Sequence, residues 1–433
     1  MKKSPQRKSA PFTSLLIALV SGSLLPLMTS STSKSAMVDS PKAVVDEVWQ
    51  IVHDEFVDET FNQVNWQQKR LELINRDYSN QKEAYQAIER ALKELGDPYT
   101  RFLAPDQFES LTSQTSGEVS GIGIRMAVDP RTQDLYIVEA IRKSPAAEIG
   151  LTRGDRIIRI DGKPTALMDL QQASEAMQGE NGTDVKLQID RRGKSSFEVT
   201  ITRQQIEIPV VEYSLKKEDN LKVGYIKLDE FSAPASKQMK EAITNLQEQK
   251  ASAFVLDLRG NPGGLLFASV DIARMWLDQG EIVDVVNRQG GHQRFRANNS
   301  ALTNLPLVIL VDGNSASASE ILAGALKENQ RATVVGTTTF GKGTVQSVHS
   351  LSDGSGLAVT ISRYFPPGGL NINHKGIAPN VVQNLSRRQQ SLLRANPDLF
   401  ASPADPQYTK AITVLRSLSA IEKSQGQNQV RNN

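Results

Sequence analysis

The sequence predicts a multidomain α/β protein, and three observations lead to that reading. The chain has 433 residues, more than one hydrophobic core ordinarily organises. From about residue 206, apolar strand-like runs alternate with helical patterns: residues 253–258 and 307–311 read as buried strands, 319–327 as a helix and 332–335 as the next strand. That order is βαβ, the arrangement of a parallel sheet covered by helices. Between about 117 and 205 the character differs, with short alternating strands and dense turn signals that mark a separate module.

Ahead of that module lies a helical region, residues 36–116. Ser40 caps a segment with Pro41 in its first turn, and Val44, Val45, Val48, Ile51 and Val52 recur at helical spacing. Ala84, Ala87, Ile88, Ala91, Leu92 and Leu95 form a second stripe that stops at Gly96. Within the module, Ser144-Pro145 opens a short helix closed by Gly150. Asp161-Gly162 and Asn181-Gly182 read as hairpin-type turns, and Val185, Leu187, Ile189 and then Phe197, Val199, Ile201 alternate as half-buried strands. A last amphipathic helix uses Tyr408, Ala411, Ile412, Leu415 and Leu418, closing a unit of residues 206–420. The polar residues 421–433 then read as a disordered tail.

Composition excludes several classes of function. Lys2, Lys3, Arg7 and Lys8 precede a mainly apolar stretch, residues 12–28, and residues 1–35 read as a secretory signal or a membrane anchor. The expected location is therefore outside the cytoplasm, as in a periplasm, with membrane association through the N-terminal segment left open. Removing residues 1–35 takes away five cations and no anions, which turns the formal charge of +2 into −3. Nucleic acid is thereby disfavoured as a partner. There are no cysteines, so thiolate catalysis, Cys-ligated metals and disulfides are excluded.

Three segments can carry chemistry. Asn314-Ser315-Ala316-Ser317-Ala318-Ser319-Glu320 follows a buried strand and opens a helix, where backbone N–H groups and the helix dipole favour a nucleophile or an anion. The same serines could equally cap the helix, and residue physics does not choose among the three. Gly341-Lys342-Gly343 sets one lysine between glycines ahead of a β-like run. In solvent it would be an ordinary cation; buried beside a serine it would lose its proton more readily and could act as a base. The glycine-rich turn Asp257-Leu258-Arg259-Gly260-Asn261-Pro262-Gly263-Gly264 ends a strand. It either connects strand to helix or turns N–H groups toward a developing oxyanion. Residues 336–342 also fit most of a phosphate-binding loop, but Gly343 stands where Ser or Thr should ligate Mg²⁺ and a strand follows where a helix is needed. His53, His292, His349 and His374 carry no hydrolase or metal motif.

Taken in order, these segments resemble the C-terminal processing (tail-specific) serine peptidases over residues of about 40–420. The resemblance rests on Gly96-Asp97-Pro98-Tyr99-Thr100-Arg101-Phe102-Leu103, on Gly121-Ile122-Gly123-Ile124 and Gly154-Asp155-Arg156-Ile157-Ile158, and on the three core segments above. It implies a crotonase-like α/β protease core (206–420) with an inserted PDZ domain (117–205). It assigns the nucleophile to Ser317, the general base to Lys342, the partner orienting that lysine to Gln346, and the oxyanion donors to the N–H groups of Ala318 and Gly263, with Gly264 adjacent. Gly121, Ile122, Gly123 and Ile124 would receive an extended peptide and its terminal carboxylate. Substrates would be proteins or peptides bound through their C-termini, and no metal or organic cofactor is implied. Gly260, where Asn or Asp is frequent in the family, is a small departure. A non-catalytic PDZ peptide-binding scaffold is the alternative from another class.

Overall fold

The computed structural model describes residues 40–431, so the N-terminal segment 1–35 lies outside the described residues. Helices α1 (Pro41–Glu55), α2 (Trp66–Ile74) and α3 (Gln81–Glu94) come first. Ser40 Oγ accepts from Lys42 N and Asn80 caps α3 through Glu83 N, which satisfies donors that a helix start leaves unpaired. The apolar stripes of α1 and α3 bury against each other, and the Trp49 and Trp66 indoles donate to each other's backbone carbonyls. The chain then forms β1 (Arg101–Leu103) and α4 (Pro105–Ser116).

An independent apolar cluster organises the next segment. It contains β2 (Glu118–Gly121), β3 (Ile124–Val128), β4 (Leu135–Ala140), α5 (Pro145–Glu148), β5 (Arg156–Ile160), β6 (Lys163–Pro164), α6 (Leu170–Met177), β7 (Asp184–Asp190), β8 (Phe197–Thr202) and β9 (Gln204–Glu207). Strand order is β3-β4-β5-β7-β8, with β6 on β5, and β2 pairs with β9. Strand β3 is therefore a free sheet edge. Asp161 and Gly162 both have positive φ (47° and 77°) and make the tight β5–β6 turn. Asn181-Gly182 is a turn but not a hairpin: it joins α6 to β7. The dipeptide signals chain reversal, and only the neighbouring helix decides what it connects.

The core follows, with β10 (Val211–Glu218), β11 (Leu221–Leu228), α7 (Ala235–Glu248), β12 (Ala253–Asp257), α8 (Leu266–Arg274), β13 (Glu281–Asn287), β14 (His292–Arg296), β15 (Leu307–Val311), α9 (Ala318–Glu328), β16 (Thr333–Gly336), β17 (Thr344–Ser350), β18 (Gly356–Phe365), β19 (Val381–Val382), α10 (Arg387–Ala395) and α11 (Pro406–Arg431). One sheet runs β10-β11-β12-β15-β16-β19, parallel except for β10. Strands β12 and β15 are buried at every residue, because helices cover both faces. Phe254 and Leu256 face α7, α8 and α9, while Val255 faces Tyr408, Ala411 and Leu415 of α11. Helix α11 continues to Arg431, through residues whose polar composition predicts a tail; once its buried turns are formed, adding further turns needs no new nucleus.

The second sheet, β1-β18-β13-β14 with β17 on β18, ties the N-terminal region to the core. Strand β1 pairs with β18 through Arg101↔Ala358, Phe102↔Leu357 and Leu103↔Gly356. Leu357 and Val359 share an apolar cluster with α1 and α3. A three-residue strand is too short to register as alternation, so the helical reading of residues 36–116 overlooked this attachment. No described helix is long and apolar enough to cross a membrane.

Candidate active site

The site forms where β12, β15 and β16 end, on three loops that buried hydrogen bonds hold together. The first is the turn after β12. The Arg259 guanidinium bonds Asp257 and Asp405 and also reaches Gln407 Oε1 at 3.0 Å. All four residues are buried, and Phe400 lies under the guanidinium at 4.9 Å. Such a group is worth keeping only because the one guanidinium is shared by both carboxylates and each carboxylate also accepts further hydrogen bonds. These come from Tyr225 Oη and the Arg259 N–H at Asp257, and from the Gln407 and Tyr408 N–H groups at Asp405. Further along, Asn261 Nδ2 donates to Leu228 O at 2.8 Å, and Asn261 O accepts from Ala316 N. Gly263 has φ +105°, and a Cβ there would lie 2.8 Å from Ala316 O and from Ser317 Cβ. Glycine is thus required where this turn meets the serine loop.

The three serines separate by what their hydroxyls do. Ser315 Oγ donates to Leu258 O at 2.8 Å, and Ser319 Oγ to Asn261 O at 3.0 Å; both residues are fully buried. Ser317 is half-buried, and its hydroxyl makes no capping bond. Its backbone is strained, with φ 52° and ψ −113°, a conformation costly for a residue bearing a Cβ. Ala318 opens α9, so its N–H is one of the donors that lack an intrahelical partner.

The third loop carries Lys342. A Cβ at Gly341 (φ +92°) would stand 2.9 Å from the N atoms of Lys375 and Gly376, which explains the glycine before the lysine. After Gly343 the chain enters β17, so no helix N-terminus is present to receive phosphate, as the nucleotide reading would need.

Glu320 joins the serine and lysine loops, and sequence reasoning gave it no role. Its fully buried carboxylate accepts four bonds. Oε1 takes Thr339 Oγ1 (2.6 Å) and Gly341 N (2.7 Å); Oε2 takes Ser317 N and Lys342 N (both 2.9 Å). The buried Tyr364 hydroxyl donates to the Lys342 carbonyl, and the Ser317 carbonyl lies 3.1 Å from the same oxygen. The three-residue spacing from Ser317 to Glu320 is that of a capping box, which is the signal that could have found the glutamate.

The side chains of the expected dyad do not meet in this conformation. No hydrogen bond joins Ser317 Oγ to Lys342 Nζ; the ammonium lies over the Tyr99 ring, 4.6 Å from its centroid. Burial holds the lysine below its ordinary pKa, and Arg101 adds to this, while Asp97 and Glu320 act in the opposite direction. Gln346 makes no hydrogen bond to the lysine: Nε2 donates to Thr344 Oγ1 (3.0 Å) and Thr360 Oγ1 (3.2 Å). A register shift between Val345 and Gln346 sets it opposite Thr360. The Gly263 N–H donates to Asn261 Oδ1 at 2.8 Å rather than pointing free. Three histidines are engaged elsewhere: His53 stacks on Trp49, His292 meets Asp284 and His349 meets Glu55. His374 is exposed and bonds the lysine loop through its backbone N–H.

At the edge of the inserted module, Gly123 has φ +78° and a Cβ there would fall 2.2 Å from Ser144 Cβ. Ile122 O accepts from Ala146 N, and Gly123 O from Ile141 N and Ser144 Oγ. The N–H groups of Ile122 and Gly123 have no hydrogen-bond partner among the described residues. They lie beside Gly121, whose added Cβ would sit 3.4 Å from Met177 O. Ile124 begins the open-edged β3.

Residues 222–383 match peptidase family S41, and residues 136–191 match the PDZ domain family. A carboxyl-terminal-processing protease of Synechocystis sp. is 42% identical over 417 residues, covering 96% of each chain. The chain belongs to peptidase family S41. Its relatives in that family include the chloroplastic carboxyl-terminal-processing peptidase 2 of Arabidopsis thaliana, 37% identical over 84% of this chain and 73% of the relative. Among solved structures, a photosystem II D1 C-terminal processing protease is 33% identical, with a TM-score of 0.53 over 85% of this chain and 99% of the other. The architecture is accordingly that of an S41 protease: an α/β core with a PDZ domain inserted after the N-terminal helices.

Proposed function

We propose that this S41 peptidase is a serine endopeptidase that cleaves exported protein substrates near their C-termini, with Ser317 as nucleophile and Lys342 as base. The observation that carries the reading is the shared Glu320 carboxylate, which binds the backbone N–H of both residues and so suspends their loops from one fixed point. Ser317 is also the one of the three clustered serines whose hydroxyl is not committed to structure.

In the proposed cycle the neutral Lys342 amine leaves the Tyr99 ring and takes the proton of Ser317 Oγ as that oxygen attacks the scissile carbonyl. The new C–O bond puts negative charge on the carbonyl oxygen, which the Ala318 N–H and an N–H of the 263–264 turn stabilise. For Gly263 this means exchanging Asn261 Oδ1 for the oxyanion. The lysine ammonium then protonates the departing amine as the C–N bond breaks, and water releases the acyl group by the reverse sequence. Gln346, held by Thr344 and Thr360, would orient the lysine once it has swung inward.

The PDZ module would read the substrate tail. An extended peptide adds beside β3, the free N–H groups of Ile122 and Gly123 take its carboxylate, and apolar residues line the groove. We further propose the organisation 1–35 signal or anchor, 36–116, 117–205, 206–420 and 421–433, with the mature protein outside the cytoplasm.

The test is cleavage of a peptide with a free, apolar C-terminus. Ser317→Ala and Lys342→Ala should be inactive with intact folds, Ser315→Ala and Ser319→Ala should keep measurable activity, and an amidated peptide should be cut poorly. A wild-type protein that binds such peptides without cutting them would make it a scaffold instead.

A further inference from the structure

The Lys342 ammonium lies over the face of Tyr99 and forms no ion pair or side-chain hydrogen bond among the described residues. Tyr99 belongs to the segment that precedes the PDZ module, and its loop is firmly built. Asp97 Oδ1 accepts from Tyr99 N at 3.1 Å, and Asp97 Oδ2 from Thr100 Oγ1 at 2.6 Å. Thr360 N donates to Thr100 Oγ1 at 3.1 Å, and Thr360 Oγ1 accepts from Gln346. One residue of β18 therefore supports both the Tyr99 loop and the glutamine that the dyad would use. The Tyr99 hydroxyl makes no hydrogen bond among the described residues, and burial, with Asp97 and Glu320 adding to it, pushes the phenol upward so that it stays neutral.

We propose that Tyr99 is a positioning residue for the base, its ring serving as the resting seat of the protonated Lys342 side chain, which the lysine leaves on deprotonation. The inference rests on the reading of Lys342 as the base. The physical reason is that the face of an aromatic ring attracts an ammonium and has no comparable hold on a neutral amine. Protonated, the lysine is retained away from Ser317; neutral, it is released toward the hydroxyl it must deprotonate. The other groups facing it are Arg101 and Asp97 from the N-terminal region and Glu320 from α9, with Tyr364 of β18 bound to its carbonyl. None of them supplies Nζ with a hydrogen bond, so the ring is its one direct partner among the described residues.

Tyr99→Leu keeps an apolar cover over the lysine but removes the ring, so the ammonium loses stabilisation and the proton leaves at lower pH. The acid limb of kcat/KM should move down by about half a pH unit. Below that limb the variant should be about threefold more active than the wild type, and the two profiles should converge where the lysine is neutral in both. Tyr99→Phe keeps the ring and should restore the wild-type limb. The lysine's own titration, followed as the pH dependence of Lys342 acetylation by acetic anhydride and read by mass spectrometry, should shift in parallel in full-length protein.

A Leu variant that loses activity at all pH with an unmoved limb would assign Tyr99 a packing role and overturn the inference. So would a Phe variant that shifts like Leu, since the hydroxyl would then be responsible. If Lys342→Ala stays active, the base reading fails, while the acetylation profile still decides whether the ring holds the ammonium.

Discussion

Replacing Glu320 by glutamine removes the charge that four donors converge on and leaves the shape unchanged. An amide can present oxygen to only one pair of donors. The cheaper orientation keeps oxygen toward Ser317 N and Lys342 N, both at 2.9 Å, and turns NH₂ toward Thr339 and Gly341. The Thr339 hydroxyl can rotate to accept from it, but the Gly341 N–H is left facing another donor inside a buried site. That unsatisfied group costs about 1–3 kcal/mol, and the surviving bonds weaken from charge-assisted to neutral ones. Relief from burying a carboxylate offsets part of this, which leaves a net loss of about 2 kcal/mol in the core. The functional loss should be larger, because Gly341 precedes Lys342, and a displacement of about 1 Å at a reacting group costs on the order of 10²-fold. Urea unfolding followed by the fluorescence of the buried Trp49, Trp66 and Trp276 measures the first quantity, and kcat/KM on a tail peptide the second. A Glu320→Gln protein with the wild-type midpoint and wild-type turnover would refute the reasoning that this carboxylate aligns the two loops.

Gly263→Ala should lower kcat at least 100-fold with little change in circular dichroism, because its Cβ would lie 2.8 Å from Ser317 Cβ at a φ of +105°; near-normal turnover would count against the glycine turn as part of the site. Activity should rise with pH with a midpoint below the ordinary lysine value of about 10.4, since burial depresses Lys342 and only the neutral amine can accept a proton. Lys342→Arg should be as inactive as Lys342→Ala at every pH, arginine staying protonated throughout; a profile governed by a group titrating near 6.5 and abolished in His374→Ala would transfer the base to that histidine. Gly123→Ala, whose Cβ would collide with Ser144 at 2.2 Å, should raise KM for free-acid peptides and narrow their advantage over amidated ones while kcat changes less. Equal KM values for both peptides in the wild type would dispose of carboxylate reading altogether.

The sequence by itself determined the main elements and their order, though not the short β1 or the extent of α11. The stripes of α1 and α3, the buried runs of β12 and β15 and the glycines at 263, 341 and 123 express periodicity, burial and backbone geometry, which are written locally. The family motifs point to Ser317 and Lys342 by register as the proposed nucleophile and base, although the residues alone leave three serines open. Only the tertiary structure decided what each polar group does. Ser315 and Ser319 are structural because carbonyls 57 and 58 residues away take their protons. Gln346 meets Thr360 because a bulge turns it there, and Asp405 completes a buried pair with Arg259 across 146 residues. Tyr99 reaches the lysine because the short β1 fastens an N-terminal loop to β18. Contacts of this kind join residues far apart in the chain, and no local pattern of charge or hydrophobicity records them; they exist only once packing has closed the intervening loops.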